Sequence, residues 1–158
     1  MKEEILKELI DRAKAELLNI EASAKAQHDY ATDTEIKSEG KYDTRAIEAS
    51  YLAEAEAKRV EELRLEIQIL EEVDVNASKK LGEIAIGALV ELLHKDQKRF
   101  YFLIPTAGGT LLQSQGNPVL VVSVFSPIGD AMLGLKVGDT FEVETPKETR
   151  EYEILGYS

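Results

Sequence analysis

The sequence predicts an α+β protein, with an N-terminal antiparallel coiled-coil helical hairpin over residues 1–75 and a small β-rich domain over residues 76–158. Three observations predict it. Two heptad seams run through the first half, which is dominated by Ala, Glu, Lys and Leu, the residues that a helix tolerates best. All four prolines and nine of the ten glycines fall in the second half. That half also carries β-branched runs separated by turn residues, as strands require.

The first seam is Leu6, Ile10, Ala13, Leu17, Ile20, Ala24, Gln27 and Ala31, spaced alternately four and three apart. The second is Ala46, Ala49, Ala53, Glu56, Val60, Leu63, Ile67 and Leu70, with Glu56 a polar flaw. Two stripes in one chain bury each other when the chain folds back on itself. Setting Ile10 against Ile67, Leu17 against Val60, Ala24 against Ala53 and Ala31 against Ala46 matches each step forward by an equal step back. This register centres the turn on Ser38-Glu39, beside Gly40, a glycine suited to a left-handed turn. Each arm of about 30 residues would reach roughly 45 Å at about 1.5 Å per residue.

The expected tip, residues 33–43, gathers Asp33, Glu35, Glu39 and Asp43 around Gly40. Four neighbouring carboxylates repel one another, so stability alone would scatter them. A polar, solvated turn in an acidic chain is the plainer reading of the same residues.

In the second half, "FYFLIP" (100–105), "PVLVVSVF" (118–125), "TFEVET" (140–145) and "EYEILGY" (151–157) are expected strands. "TPKETRE" reads as the hairpin connection between the last two. "SPIGDAMLG" (126–134) opens with Ser as N-cap and Pro at the first helical position, which predicts a short helix. "LGEIAIGALVELLHKD" stays open: Leu81, Ile84, Ala85, Ala88, Leu89 and Leu92 suit a helix, while "GALVELLH" before "RFYFLI" suits a hairpin.

The formal net charge is −11, of which the first 75 residues carry −9. An acidic surface repels phosphate, which argues against direct, sequence-specific nucleic-acid binding and favours a positively charged protein groove as partner. The chain has no cysteine, hence neither disulfides nor a thiolate metal site. The charged N-terminus lacks the apolar run of a signal peptide, and no stretch has the length of a membrane span, so a cytoplasmic protein without membrane attachment is expected. A monomer is expected.

Several residues invite a site and have simpler roles. His28 and His94 are the only histidines and lie in different halves, so they read as surface or packing residues rather than a zinc site. "TAGGT" (106–110) lacks the Lys-Ser/Thr of a phosphate loop and reads as a connection. Ser126 has no nearby His–Asp pair that would make it a nucleophile. Tyr30, Tyr42 and Tyr51 either pack across the turn or meet a partner's wall.

The stretch "SPIGDAMLGLKVGDTFEVETPKETREYEILGY" resembles the C-terminal domain of the bacterial Gre transcript-cleavage and elongation factors. The matching elements are Ser126-Pro127-Ile128, Ala131, Leu133-Gly134, Gly138-Asp139, Thr145-Pro146 and Glu151-Tyr152-Glu153-Ile154, in family order and spacing. The resemblance implies an FKBP-like domain with "GALVELLH" as a strand. It implies a non-enzymatic partner of bacterial RNA polymerase, docked through Ser126, Pro127, Ile128, Gly129 and Asp130 on the rim of the secondary channel. Its coiled coil would bring acidic tip residues to the polymerase active site, where they help hold a second Mg²⁺ and position water for hydrolysis of backtracked RNA. Glu39 and Glu35 are then the residues expected to assist catalysis, flanked by Asp33 and Asp43. No metal is expected to be held stably by the free protein, Mg²⁺ being that of the polymerase, with Glu35 and Glu39 as ligands in the complex. The family's tip reads Gly-Asp-x-x-Glu-Asn, whereas here "EIKSEG" sets Glu35 and Glu39 four apart and puts Gly40 in place of the asparagine. Stimulation of cleavage, inhibition of polymerase without cleavage, and a coiled-coil adaptor or chaperone-like role therefore all stay open.

Overall fold

The computed structural model describes residues 1–37 and 44–158, with side chains at all of these except 27–37, 44–46 and 49. The chain divides into two compact units, Ile10–Gln68 and Met1–Leu9 with Ile69–Ser158. Among the described residues no helix is long and apolar enough to cross a membrane.

The first unit is built from the greater part of two long helices, α1 (Lys2–Lys37) and α2 (Thr44–Glu71), whose residues 2–9 and 69–71 belong to the second unit. Ala13, Leu63 and Ile67 are buried together, with Ile10, Leu17 and Ile20 packed against them, so the expected Ile10–Ile67 neighbourhood forms. The helices run antiparallel: Glu16 lies opposite Arg59, and farther along α1 Ser23 lies opposite the earlier residue Glu56. The Arg59 guanidinium donates to Glu16 Oε1 from Nε at 3.0 Å and from Nη2 at 2.8 Å. Arg64 Nη2 donates to Glu21 at 3.0 Å. Ser23 Oγ donates to Glu56 Oε1 at 3.4 Å, while Glu56 Oε2 is buried without a partner among the described residues. The polar flaw in the second seam thus sits within the helix pair. The expected turn at Ser38-Glu39 lies outside the described residues.

In the second unit Ile5, Leu9 and Leu70 are buried, and Lys2 Nζ donates to the Val75 carbonyl at 2.5 Å. A short helix α3 (Ala77–Leu81) follows. It stops because Gly82 takes φ +73°, a left-handed conformation that closes the last turn through its N–H to the Ser78 carbonyl at 2.8 Å. The helical reading of residues 81–92 fails at that glycine, and "GALVELLH" supplies a strand, β1 (Leu89–His94).

The remaining elements are β2 (Gln97–Ile104), β3 (Leu111–Ser114), β4 (Asn117–Ser123), α4 (Pro127–Met132), β5 (Thr140–Glu144) and β6 (Thr149–Tyr157). They form one six-stranded mixed sheet in the order β3-β4-β2-β1-β6-β5, in which only β2 and β4 pair in parallel. The strand β3 was not among those expected from the sequence, since "LLQS" is too short to show a period. Tight positive-φ turns at Lys95-Asp96 and Gln115-Gly116 close two of the hairpins.

The second half of the central strand β2, residues 101–104, is buried on both faces. Tyr101 and Leu103 join Val90, Leu92, Val122, Met132, Tyr152 and Ile154 on one side. Phe102 faces the other way, in register with buried Leu89 and Val121. His94 is a packing residue: its Nδ1 lies 2.9 Å from the Glu151 carbonyl and its ring 4.9 Å from that of Tyr152. "TAGGT" lies tight against β4, where a Cβ on Gly108 would fall 2.6 Å from the Ser123 nitrogen, so its glycine serves close backbone approach rather than an anion.

Candidate functional site

The segment Ser126–Asp130 follows directly from the end of β4. Val124 N–H still donates to the Ile104 carbonyl at 2.9 Å, and then the chain turns sharply. Ser123 holds the turn: its carbonyl accepts from Ser126 Oγ at 2.6 Å and from Ser126 N–H at 3.1 Å, and its own Oγ accepts from Phe125 N–H at 3.1 Å. Ser126 is the N-cap, extended at φ −76° and ψ 153°, and its Oγ accepts from Gly129 N–H at 3.1 Å. Pro127 occupies the first turn, where its missing N–H costs nothing.

Gly129 is buried because α4 begins directly above β4. A Cβ there would lie 1.9 Å from the Ser123 carbonyl oxygen, far inside contact distance. Ile128 is half-buried against the core cluster, while Pro127 and Asp130 face solvent. The negative Asp130 lies in the first turn of α4, near the positive pole of the helix. Beside them Phe125 is 84% exposed, a large apolar ring held in water on a rigid turn. Sequence reasoning took Phe125 as the last residue of a strand. The signal that would have singled it out is an aromatic residue placed immediately before the Ser-Pro cap.

The structure therefore sorts the expected docking residues into two groups. Pro127, Asp130 and part of Ser126 offer surface, and Phe125 joins them. Gly129 and Ile128 hold that surface on the sheet. Of the expected tip acids, Asp33 and Glu35 fall within α1 with side chains outside the described set, and Glu39 and Asp43 lie outside the described residues altogether. Among the described residues no group of three or more His, Asp or Glu is placed to hold a metal ion.

The family model described as "Transcription elongation factor, GreA/GreB, C-term" matches residues 77–157, which covers β1 to β6 and α4. The chain belongs to the GreA/GreB family. The Gre factor "Transcription elongation factor GreA" of Methylobacterium sp. (strain 4-46) is 32% identical over 114 residues, covering 68% of this chain and 68% of that protein. That of Methylobacterium nodulans is 30% identical over 115 residues, covering 72% of this chain and 66% of the relative. That of Xylella fastidiosa (strain 9a5c) is 27% identical over 142 residues, covering 89% and 80%. Among solved structures, GreA factor homolog 1 (Gfh1) of Thermus thermophilus aligns over 94% of both chains at 19% identity, with a TM-score of 0.40.

Proposed function

We propose that this Gre-family protein binds the secondary channel of bacterial RNA polymerase and acts on the polymerase active site by stimulating cleavage of backtracked RNA. The observation that carries the reading is the family match over residues 77–157, joined to a pair of antiparallel helices whose connecting region holds Glu39 and Asp43. Phe125, Pro127 and Asp130 would dock the globular unit, and the helices would carry Glu35 and Glu39 inward.

The chemistry asks little of the free protein. Hydrolysis at a two-metal site needs oxygen ligands for a weakly held second ion, and carboxylates suit Mg²⁺. Mg²⁺ keeps several waters and demands octahedral geometry, so an isolated acidic turn holds it weakly. The ion and the reacting phosphate belong to the polymerase, and the protein itself is a cofactor rather than an enzyme.

The test is a stalled, backtracked elongation complex incubated with the purified protein. Transcript shortening by wild type, lost in Glu39→Ala and in the Glu35/Glu39 double alanine variant while polymerase binding persists, is the expected result. Equal shortening with wild type and variants removes the tip from the mechanism. A second reading is favoured by one observation: no Asp-x-x-Glu spans the expected turn, the two glutamates lying four apart. On that reading the displaced acids hold the metal unproductively or block nucleotide entry, and the same assay gives slower elongation with no shortening.

A further inference from the structure

A groove of about 750 Å³ runs through the globular unit between the last turn of α2, α3 and the end of α4. Ile69, Val73, Leu81, Ile86, Pro105 and Leu133 make it largely apolar. Its size is that of a ligand site, yet it is open rather than enclosed and its lining offers few converging polar groups to orient a small molecule. Such a shape suits side chains presented by another protein.

The backbone that forms the walls is pinned by hydrogen bonds and close packing. Ile84 and Ala85 form a buried floor. Ile84 N–H donates to the Leu135 carbonyl and Gly134 N–H to the Ile84 carbonyl, both at 2.8 Å. Ser78, only 1% exposed, holds α3 down by accepting from Ala85 N–H at 2.9 Å. The turn after α2 presses on Gly87, where a Cβ would lie 2.8 Å from the Asp74 carbonyl oxygen. On the rim of this fixed trough Leu81 is 63% and Leu133 43% exposed. Two leucines kept in water beside a preformed apolar trough are the anatomy of an interface core awaiting its partner.

Charge decides what the partner carries. Glu72 and Glu83 line the groove and make no ion pair among the described residues. The negative pole of α2 ends there too, with no basic residue in its last turn, where stability would favour one. Asp74 does not add to this, since Lys80 Nζ neutralises it at 2.6 Å.

We propose that this groove receives a segment of RNA polymerase bearing aliphatic side chains between Lys or Arg residues, as a second contact distinct from the one at Phe125–Asp130. The aliphatic groups would enter between Leu81 and Leu133, and the cations would meet Glu72 and Glu83. This rests on the polymerase-binding reading.

The test is equilibrium binding of labelled protein to core RNA polymerase, comparing wild type with Leu81→Asp, Leu133→Ala, Glu83→Lys and, as a control for bulk charge, Glu142→Lys on the outer edge of β5. Circular dichroism establishes that each variant is folded. Leu81→Asp should weaken binding about tenfold or more, Leu133→Ala and Glu83→Lys about threefold or more, and Glu142→Lys less than about twofold. If the two leucine variants are folded and bind within about twofold of wild type, or if Glu83→Lys is no worse than Glu142→Lys, the groove proposal falls while polymerase binding stands. If wild type does not bind polymerase, both fall. If sedimentation shows a wild-type dimer that Leu81→Asp dissolves, the occupant is a second copy and the proposal is overturned. Should Leu81→Asp unfold, Leu133→Ala and Glu83→Lys decide the matter alone.

Discussion

The helix pair and the sheet unit are held together by different means. Among the described residues of the pair, the apolar cluster is Ala13, Leu63 and Ile67 with partly covered neighbours, and much of the remaining cross-helix contact is ionic and exposed, as in Arg59–Glu16 and Arg64–Glu21. In the sheet unit, the second half of β2 is covered on both faces, and one cluster alone unites ten buried residues. Apolar burial gives far more stability than exposed ion pairs, which yield about 0–1 kcal/mol each. The sheet unit is therefore built to be rigid. The helix pair is built to be long and solvated, with small seam residues and just enough apolar contact to keep its register.

The largest expected effect sharpens that contrast. Phe102 is fully buried on β2, and Phe102→Ala should cost about 3–5 kcal/mol in urea denaturation followed by tyrosine fluorescence, to which the buried Tyr101 and Tyr152 contribute among the six tyrosines. Leu63→Ala, at the best-buried point of the helix pair, should cost about 2–3 kcal/mol by far-UV circular dichroism. A larger loss at Leu63 than at Phe102 would break the comparison.

Next comes Gly129→Ala. The added methyl meets the Ser123 carbonyl, so α4 must shift off β4 at a cost of about 1–3 kcal/mol. Because that shift also moves Phe125, Pro127 and Asp130, the proposed docking on polymerase should weaken together with stability. A fully stable Gly129→Ala protein would show that α4 is not seated by this contact.

A smaller effect is expected in the helix pair. Arg59→Ala removes the guanidinium that Glu16 holds by two hydrogen bonds, and should cost about 0.2–1 kcal/mol, less at high salt. A loss above about 2 kcal/mol, unaffected by salt, would mean that the ion pairs rather than the apolar seam hold the helices.

These contrasts also explain what the sequence could and could not tell. The two long helices were legible because heptad spacing repeats over many turns, and β4, β5 and β6 because punctuated β-branched and aromatic runs mark them. The Ser126 cap was legible because Ser-Pro has a fixed local geometry. β1 was ambiguous because Leu89, Val90, Leu92 and Leu93 form a short apolar run in which helix and strand periods coincide, and the positive-φ glycines Gly82 and Gly87 lie between α3 and it. β3 was missed because four residues cannot show a period and its place is set by pairing with β4. The candidate site was legible only in part. Pro127 belongs to the family pattern and Asp130 to the patch that the resemblance implies, but the exposure of Phe125 and the seating role of Gly129 depend on where β4 ends, which is tertiary information.

The smallest effect tests the comparison by sign rather than size. In the helix pair, burial raises the Glu66 carboxyl above its usual range, Arg59 opposes this and the nearby charge of Glu16 adds to it. A carboxyl raised in the folded state binds its proton more tightly there than in the unfolded chain. Its contribution is therefore present below the unfolded value and lost as pH rises through the folded one. Glu66→Gln should accordingly melt slightly higher than wild type at neutral pH, the gap closing towards about pH 4. In the sheet unit the reverse holds: hydrogen bonds from Lys95 and Arg150 lower the Glu148 carboxyl. That contribution is present at neutral pH and lost as pH falls through the folded value, so Glu148→Gln should melt slightly lower than wild type at neutral pH and converge with it in acid. Melting temperatures of the two variants against wild type, followed from neutral pH downwards at low salt, give the check. Gaps of the same sign at neutral pH would mean that one of the two carboxylates does not sit as its surroundings dictate.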